Sequence, residues 1–217
     1  MEYRYKMVGV KGGSYLMGAP KNDEKATIRE KPQHRVDVSS FCIGQTEVTQ
    51  ALWKAVMGSN PSHFWGNTLP VEQVSYNDVK GFINKLNSMT GKTFRLPTEE
   101  EWEFAARGGN SKHCYKYSGG DNIGNVAWYA GNSGKKSYPV AQKQANELEI
   151  FDMTGNVWEM CNSVWCNDYK SDRSGPYSVV RGGSWNNSDW NCRVSYRNYI
   201  GSEYRSERLG FRLALSK

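Results

Sequence analysis

GGSWNNSDWNCRVSYRNYIGSEYRSERLGF, residues 182 to 211, has ends and a middle of different character. Gly182-Gly183-Ser184 at one side and Leu209-Gly210-Phe211-Arg212-Leu213 at the other read as strands anchored in a core. Between Trp185 and Arg208 the only aliphatic side chains are Val194 and Ile200. The rest is mainly aromatics, amides, hydroxyls and Arg. Tyr and Trp supply rigid contact area, while Ser, Gly and Asn supply adaptable hydrogen bonds, as in antibody paratopes. A polar stretch tied down at both ends is expected to be an ordered loop surface and not a disordered tail. The fold must therefore be one that frames such a loop between strands.

The remainder of the chain reads as that frame. Residues 3–18 are expected to form a hairpin turning at Gly12-Gly13, with the glycines supplying positive φ. Residues 19–33 read as a charged surface loop. Arg35–Val38 alternates like a half-buried strand, with Phe41–Glu47 expected beside it. Thr49 can cap a helix holding Leu52, Trp53, Val56 and Met57. Ser75 can cap another, whose Val79, Phe82, Ile83 and Leu86 recur at helical spacing, with Gly91 as its stop. Thr98 with Glu101 forms a capping box ahead of Trp102, Ala105 and Ala106, and Gly108-Gly109 ends that helix. Later strands are expected at Val179–Gly182, Arg193–Arg197 and Leu209–Leu215. Early helices with sparse strands throughout imply a compact α+β domain with much irregular loop.

The 217 residues fit one domain, spanning 1–217, and 13% aromatic content argues for a folded chain. The net charge is +6, but Lys and Arg are scattered, and no basic helix or RNA-binding signature is present, so nucleic acid is not an expected partner. No apolar run is long enough to span a membrane. The polar start, Met-Glu-Tyr-Arg-Tyr-Lys, is not a signal peptide, which fits either a cytoplasmic protein or a mature form after a removed signal. The five cysteines match no zinc or redox spacing. Cys161 and Cys166 either pair or, the preferred reading, stay free and buried.

Chemistry-bearing candidates are few. Glu99, Glu100, Glu101 and Glu103 are accounted for by a helix N-terminus. His34, His63 and His113 stand at no metal-ligand spacing. Asp152, Asn156 and Glu159 surround one Gly-containing turn, which could gather oxygens for Ca²⁺ or could be an Asx-type turn. Cys192 is a candidate nucleophile whose thiolate Arg193 would favour, yet no His follows it to act as base. The alternative is a small buried hydrophobe.

Several ordered motifs resemble the formylglycine-generating-enzyme (sulfatase-modifying factor) family. They are Gly12–Gly18, IGQTEVT (43–49), PVEQVSYNDV (70–79), RLPTEEEWEFAARGG (95–109), DMTGNVWEM (152–160) and VVRGGSW through LGFRLAL. The resemblance covers nearly the whole chain and implies a C-type-lectin-like fold: a twisted antiparallel sheet, two main helices and much loop. The family's enzymes oxidise a cysteine to formylglycine with a copper-binding cysteine pair, three and eight residues after the GGS. Those positions are Asn187 and Cys192 here. With one thiolate missing, a two-thiolate copper site cannot form, so neither copper nor catalysis is expected. Ser184 matches an active-site serine of the enzymes, and with Cys192 it forms the alternative, catalytic reading. The resemblance also implies a structural calcium near Asp152, Asn156 and Glu159.

The 182–211 stretch is also similar to the variable regions of proteins diversified by retroelements, which use this fold. That resemblance implies a non-enzymatic binding protein, most often displayed on the bacterial surface as a lipoprotein. The expected contacts are Asn186, Asn187, Ser188, Asp189, Trp190, Asn191, Tyr196, Asn198, Tyr199, Ile200, Ser202, Tyr204 and Ser206. Trp190, Tyr196, Tyr199 and Tyr204 are the expected anchors. The expected partner is a protein or other surface ligand, met by a monomer.

Overall fold

A computed structural model describes residues 5–216. Strands β1 (Met7–Val10), β2 (Gly13–Met17), β3 (His34–Val38) and β4 (Phe41–Gly44) open the fold. The hairpin expected over residues 3–18, of which 3 and 4 lie outside the described residues, does not form. β1 pairs with β4, Met7 opposite Gly44 and Val10 opposite Phe41. β2 pairs with β3, Gly13 opposite Val38 and Met17 opposite His34. The register is the same in both, so the four strands are one long antiparallel ribbon broken at Lys11-Gly12. Its true turn is the 18–33 segment, and β3 and β4 follow one another along the ribbon instead of lying side by side.

Gly12 is needed for closeness and not for a left-handed φ. A Cβ there would stand 2.5 Å from the Val38 carbonyl oxygen and 2.7 Å from the Ser40 amide nitrogen. Both are backbone atoms, which cannot swing aside. We expect Gly12→Ala to cost about 1–3 kcal/mol by overpacking, visible as a Tm several degrees lower by calorimetry. An unchanged Tm would show that the ribbon's break is soft.

The helices follow the local code. Helix α1 (Gln50–Met57) is capped by Thr49, which accepts from the Leu52 amide at 3.4 Å. Helix α2 (Tyr76–Thr90) begins with a reciprocal Ser75–Asp78 capping box and stops at Gly91 in the left-handed region. Its Val79, Phe82, Ile83 and Leu86 are buried against Trp53 and Val56 of α1. Strand β5 (Phe94–Arg95) leads into helix α3 (Glu99–Ala106), where Thr98 and Glu101 form the second box. Trp102, Ala105 and Ala106 are buried in a second core with Phe41, Ile43 and Val179. A single turn, α4 (Ile123–Val126), is the last α-helix among the described residues.

Strand β6 (Trp158–Val164), which the sequence reading missed, is the centre of the C-terminal sheet. β7 (Tyr177–Arg181) pairs antiparallel with it, β8 (Arg197–Gly201) lies outside β7, and β9 (Leu209–Gly210) runs parallel to β6 on the other side. The expected strand Arg193–Arg197 is therefore displaced: residues 193–196 form turn and coil, and the strand starts at Arg197. The strand expected over Leu209–Leu215 is split, because β10 (Ala214–Ser216) inserts between β4 and β5 in the first sheet. The two four-stranded sheets, the β2–β3 pair, the covering helices and the long loops make the α+β, C-type-lectin-like architecture.

Candidate functional site

The 182–211 stretch divides into residues that hold and residues that face out. Arg181, Arg193, Arg197 and Arg212 are almost wholly buried. Burying an unpaired guanidinium would be prohibitive, and each has a carboxylate partner. Arg197 donates to both oxygens of Glu99, at 2.5 and 2.8 Å. Arg193 donates to Glu30 at 2.8 and 3.0 Å and to Asp23 at 2.7 Å. Arg181 bonds Glu103 and the carbonyls of Val194, Ser195 and Tyr196. The acidic run at α3 is thus more than a helix cap. Glu99 and Glu103 are buried counter-charges for the loop, and Glu30 makes the 18–33 segment a structural brace and not merely a surface loop.

The outer rim is fastened more lightly. Arg205 makes two bonds to Asp78, at 2.8 and 3.0 Å, so the first turn of α2 holds the 202–208 loop. The Gln73 amide donates to the Ser206 carbonyl at 3.0 Å and the Asn77 amide to that of Ser202 at 3.3 Å. These bonds make an ordered surface from a segment with almost no aliphatic side chains.

A cavity of about 310 Å³ opens in this surface. Trp158, Val180, Ile200 and Leu209 supply apolar lining, and Asn187, Asn198, Tyr204 and Ser206 supply amides and hydroxyls. Arg208 is the one charged side chain in the lining. Trp158 and Val180 were not foreseen, since only the pairing of β6 with β9, Trp158 opposite Leu209, brings that tryptophan to the loop. Ile200 and Ser206 line the cavity but are buried, so they are floor and not free contacts. Asn186 is exposed and Asn187, Ser188, Asp189, Asn191 and Ser202 are partly so.

The four expected anchors do not form one patch. Tyr204 is 49% exposed at the cavity rim. Tyr196 is wedged between Trp158 and Trp190, with ring centres 6.0 and 5.2 Å away. Tyr199 packs instead on Trp165 and Tyr177, at 4.9 and 5.0 Å, under the Arg29 guanidinium. Asp189 faces Lys116 at 3.6 Å and Tyr117. Alternation along β8 turns the Tyr199 ring away from the side chains of Asn198 and Ile200, although residue 199 still borders the cavity.

The Asp152–Glu159 turn converges, but most of its side-chain oxygens are engaged. Arg212 donates to both Glu159 oxygens at 2.6 Å, and Trp102 Nε1 donates to one of them at 2.6 Å. Asn156 Oδ1 accepts from the Tyr138 amide at 3.0 Å, while its amide donates to Glu47 at 2.8 Å. Asp152 accepts from the Ala141 amide at 2.7 Å. Among the described residues no group of three or more His, Cys, Asp or Glu side chains is placed to hold a metal. A calcium ion held by the Glu159 carboxylate and Asn156 Oδ1 would have to displace bonds already made. Burial raises Asp152 to about 6 and Glu47 well above the usual carboxylate range, with neighbouring acids adding to the rise of both.

Cys192 is fully buried beside Tyr117, Val126 and Ala127. Burial pushes its thiol up to about 12. Arg193, expected to favour the thiolate, is turned toward Glu30 and Asp23. Ser184 is also buried, and its hydroxyl donates to Asn187 Oδ1 at 2.6 Å. The position where the enzymes carry their first cysteine thus holds an amide bonded to the serine. All five cysteines, including Cys161 and Cys166, are free. Brief alkylation at pH 8 of the native protein should mark the exposed Cys114 and spare Cys192, as read by peptide mass spectrometry. Rapid labelling of Cys192 would contradict its burial.

Known proteins agree with this fold. A profile of the sulfatase-modifying factor enzyme 1-like domain matches residues 2–217. Chaperone protein LppX of Paenibacillus barcinonensis is 31% identical, over 97% of this chain and 89% of its own. Inactive C-alpha-formylglycine-generating enzyme 2 of Bos taurus is 30% identical over 77% of this chain and 57% of its own length. Proteins named formylglycine-generating enzyme match as well. The solved structure of Treponema denticola variable protein 1 superposes with a TM-score of 0.89 at 33% identity, covering 98% of this chain and 95% of that one. From the match along residues 2–217 and this superposition, the chain belongs to the sulfatase-modifying factor enzyme 1-like domain family, in its C-type-lectin-like fold.

Proposed function

We propose that the protein is a non-enzymatic binder whose 185–208 surface receives a protein ligand. The observation that carries this is the division of labour within one stretch. Buried Arg193 and Arg197 fix the backbone, while the partly exposed amides of Asn187 and Asn198 and the exposed Tyr204 surround a cavity with an apolar floor. Such a face tolerates exchange of its outward residues because they do not support the core. The likeness to a Treponema variable protein supports diversification by a retroelement, and a reverse transcriptase gene with an adenine-differing template repeat beside this gene is the corresponding genomic sign. Display of the monomer on the cell surface is part of the same proposal. The oxidase reading lacks its two thiolates, since Asn187 stands in one place and Cys192 is sequestered in the other.

Two measurements test the reading. Copper(I) with a cysteine peptide should give no formylglycine by mass spectrometry. A displayed library randomised at Asn186, Asn198, Ser202 and Tyr204 should keep the parent Tm within a few degrees and yield binders to a purified test protein such as lysozyme. Collapse of stability across the library, or aldehyde formation, would overturn the proposal.

A further inference from the structure

The strand that borders the cavity is also the edge of its sheet. The order is β8-β7-β6-β9, so β8 has one open side. An antiparallel ladder uses the backbone groups of alternate residues, and those between point the other way. The Trp165 amide donates to the Tyr177 carbonyl. Past the irregularity in β6 between Met160 and Val164, Trp158 bonds to Arg208 on the β9 side, so that Glu159 faces Arg181. Both ends place the backbone groups of Tyr177, Val179 and Arg181 on the β6 side. Ser178 and Val180 therefore bond toward β8, to Ile200 and Asn198. Arg197, Tyr199 and Gly201 are left pointing outward. Gly201 confirms the parity, since its carbonyl accepts from the Tyr204 amide in the adjoining turn. No backbone bond beyond β7 is made by Tyr199 among the described residues.

Edge strands are usually guarded by Pro, by Lys or by bulges. Arg-Asn-Tyr-Ile-Gly contains none of these; its inward-pointing charge, Arg197 paired with Glu99, guards the start of the strand, and no such device stands at Tyr199. Residues 198–201 all border the cavity. At about 310 Å³ it has room for one or two side chains and not for a folded surface. A partner that satisfies both features is an extended peptide.

We propose that the ligand presents an extended segment that adds to the sheet at β8. Its backbone exchanges hydrogen bonds with the Tyr199 N–H and C=O, and one apolar side chain enters the cavity over Trp158. This rests on the binding reading above and deepens it. Backbone pairing supplies sequence-independent affinity, while the cavity, with Asn187 and Asn198 in its wall, selects the side chain. Exchange of outward residues would alter that choice without removing the docking edge.

The test uses 12-residue peptides enriched from a random phage library on the intact protein. For the best peptide, amide hydrogen exchange at Tyr199 should slow more than 10-fold on binding. N-methylation of alternate peptide amides should weaken binding at least 10-fold in one parity and little in the other. Tyr199→Pro, which removes only an outward N–H, should bind at least 10-fold more weakly than Tyr199→Ala, which lacks the same ring but keeps that N–H. Where Tyr199→Pro does not fold, the exchange and N-methyl results decide. Unprotected Tyr199 with parity-independent N-methyl effects would overturn the proposal. So would the enrichment of no peptide, and if the randomised library still bound lysozyme, the binding reading itself would stand.

Discussion

Replacing Arg197 with Met lowers stability by about 3–5 kcal/mol, a fall in Tm of roughly 6–20 °C for a chain of this size. The reason is what stays behind. Glu99 is fully buried, and the substitution strips the two shortest bonds from its carboxylate. The remaining cations near it, Arg181 and Arg173, stand 3.8 and 3.7 Å away and are committed to Glu103 and Glu100. Arg197 also spans the rings of Trp165 and Tyr169, at 4.7 and 4.2 Å, and bonds the Arg29 carbonyl at 2.9 Å. Met restores packing volume but not these bonds. Arg205→Ala is the control, because its pair with Asp78 is 44% and 34% exposed. It should cost less than about 1 kcal/mol. Equal losses in the two variants, measured by denaturant titration, would mean that the buried frame is not what holds the loop.

Asp152→Asn should do the opposite and stabilise the protein at neutral pH. Asp152 ionises near 3.8 when free and near 6 in the fold, chiefly through burial. The unfolded chain therefore loses that proton first, so native stability falls as pH rises through this window and stays lowered above it. Each tenfold displacement of the ionisation equilibrium is worth about 1.4 kcal/mol, which makes the penalty on the order of 2–3 kcal/mol above pH 7. Asparagine keeps an oxygen for the Ala141 amide and tolerates the φ of 59° at this position. Melting curves at pH 8 should show the gain, and curves near pH 3.5, where the aspartate is already largely neutral in both states, should show almost none. A calcium ion at this turn would reverse the sign, since the substitution would then remove a ligand charge. Loss of stability at pH 8 that depends on added calcium would restore the metal reading.

What could be read from the sequence was what short-range chemistry decides. Thr49, Ser75 and Thr98 announced three helices because an N-cap is a local device, completed within four residues. The polar middle of 182–211 announced a surface because burying it without partners would cost too much. Pairing across long separations was not visible in this way. Gly12-Gly13 resembles a turn locally, and only the approach of Val38 and Ser40 shows that Gly12 serves the close packing of the ribbon at its break. Arg193 reads as a neighbour of the Cys192 thiolate, and Arg197 as the end of a strand, until Glu30 and Glu99 are placed beside them. The cavity floor needed Trp158, which reaches the loop through a parallel bridge that no local pattern encodes.

The position of β10 has a consequence for how the chain reaches this structure. Ala214 lies between Ile43 and Arg95, so the first sheet stays in two parts until a segment from far along the sequence arrives. The braces from Glu30 to Arg193 and from Glu99 to Arg197 span similar distances. Contacts of this kind close large loops before any of them is rewarded, which slows folding. During synthesis the ribbon and the capped helices can form early, but they remain an open clamp. The stretch that carries the cavity surface shuts it through Arg193, Arg197 and the β10 that follows, so a chain in which these braces fail does not reach the closed fold.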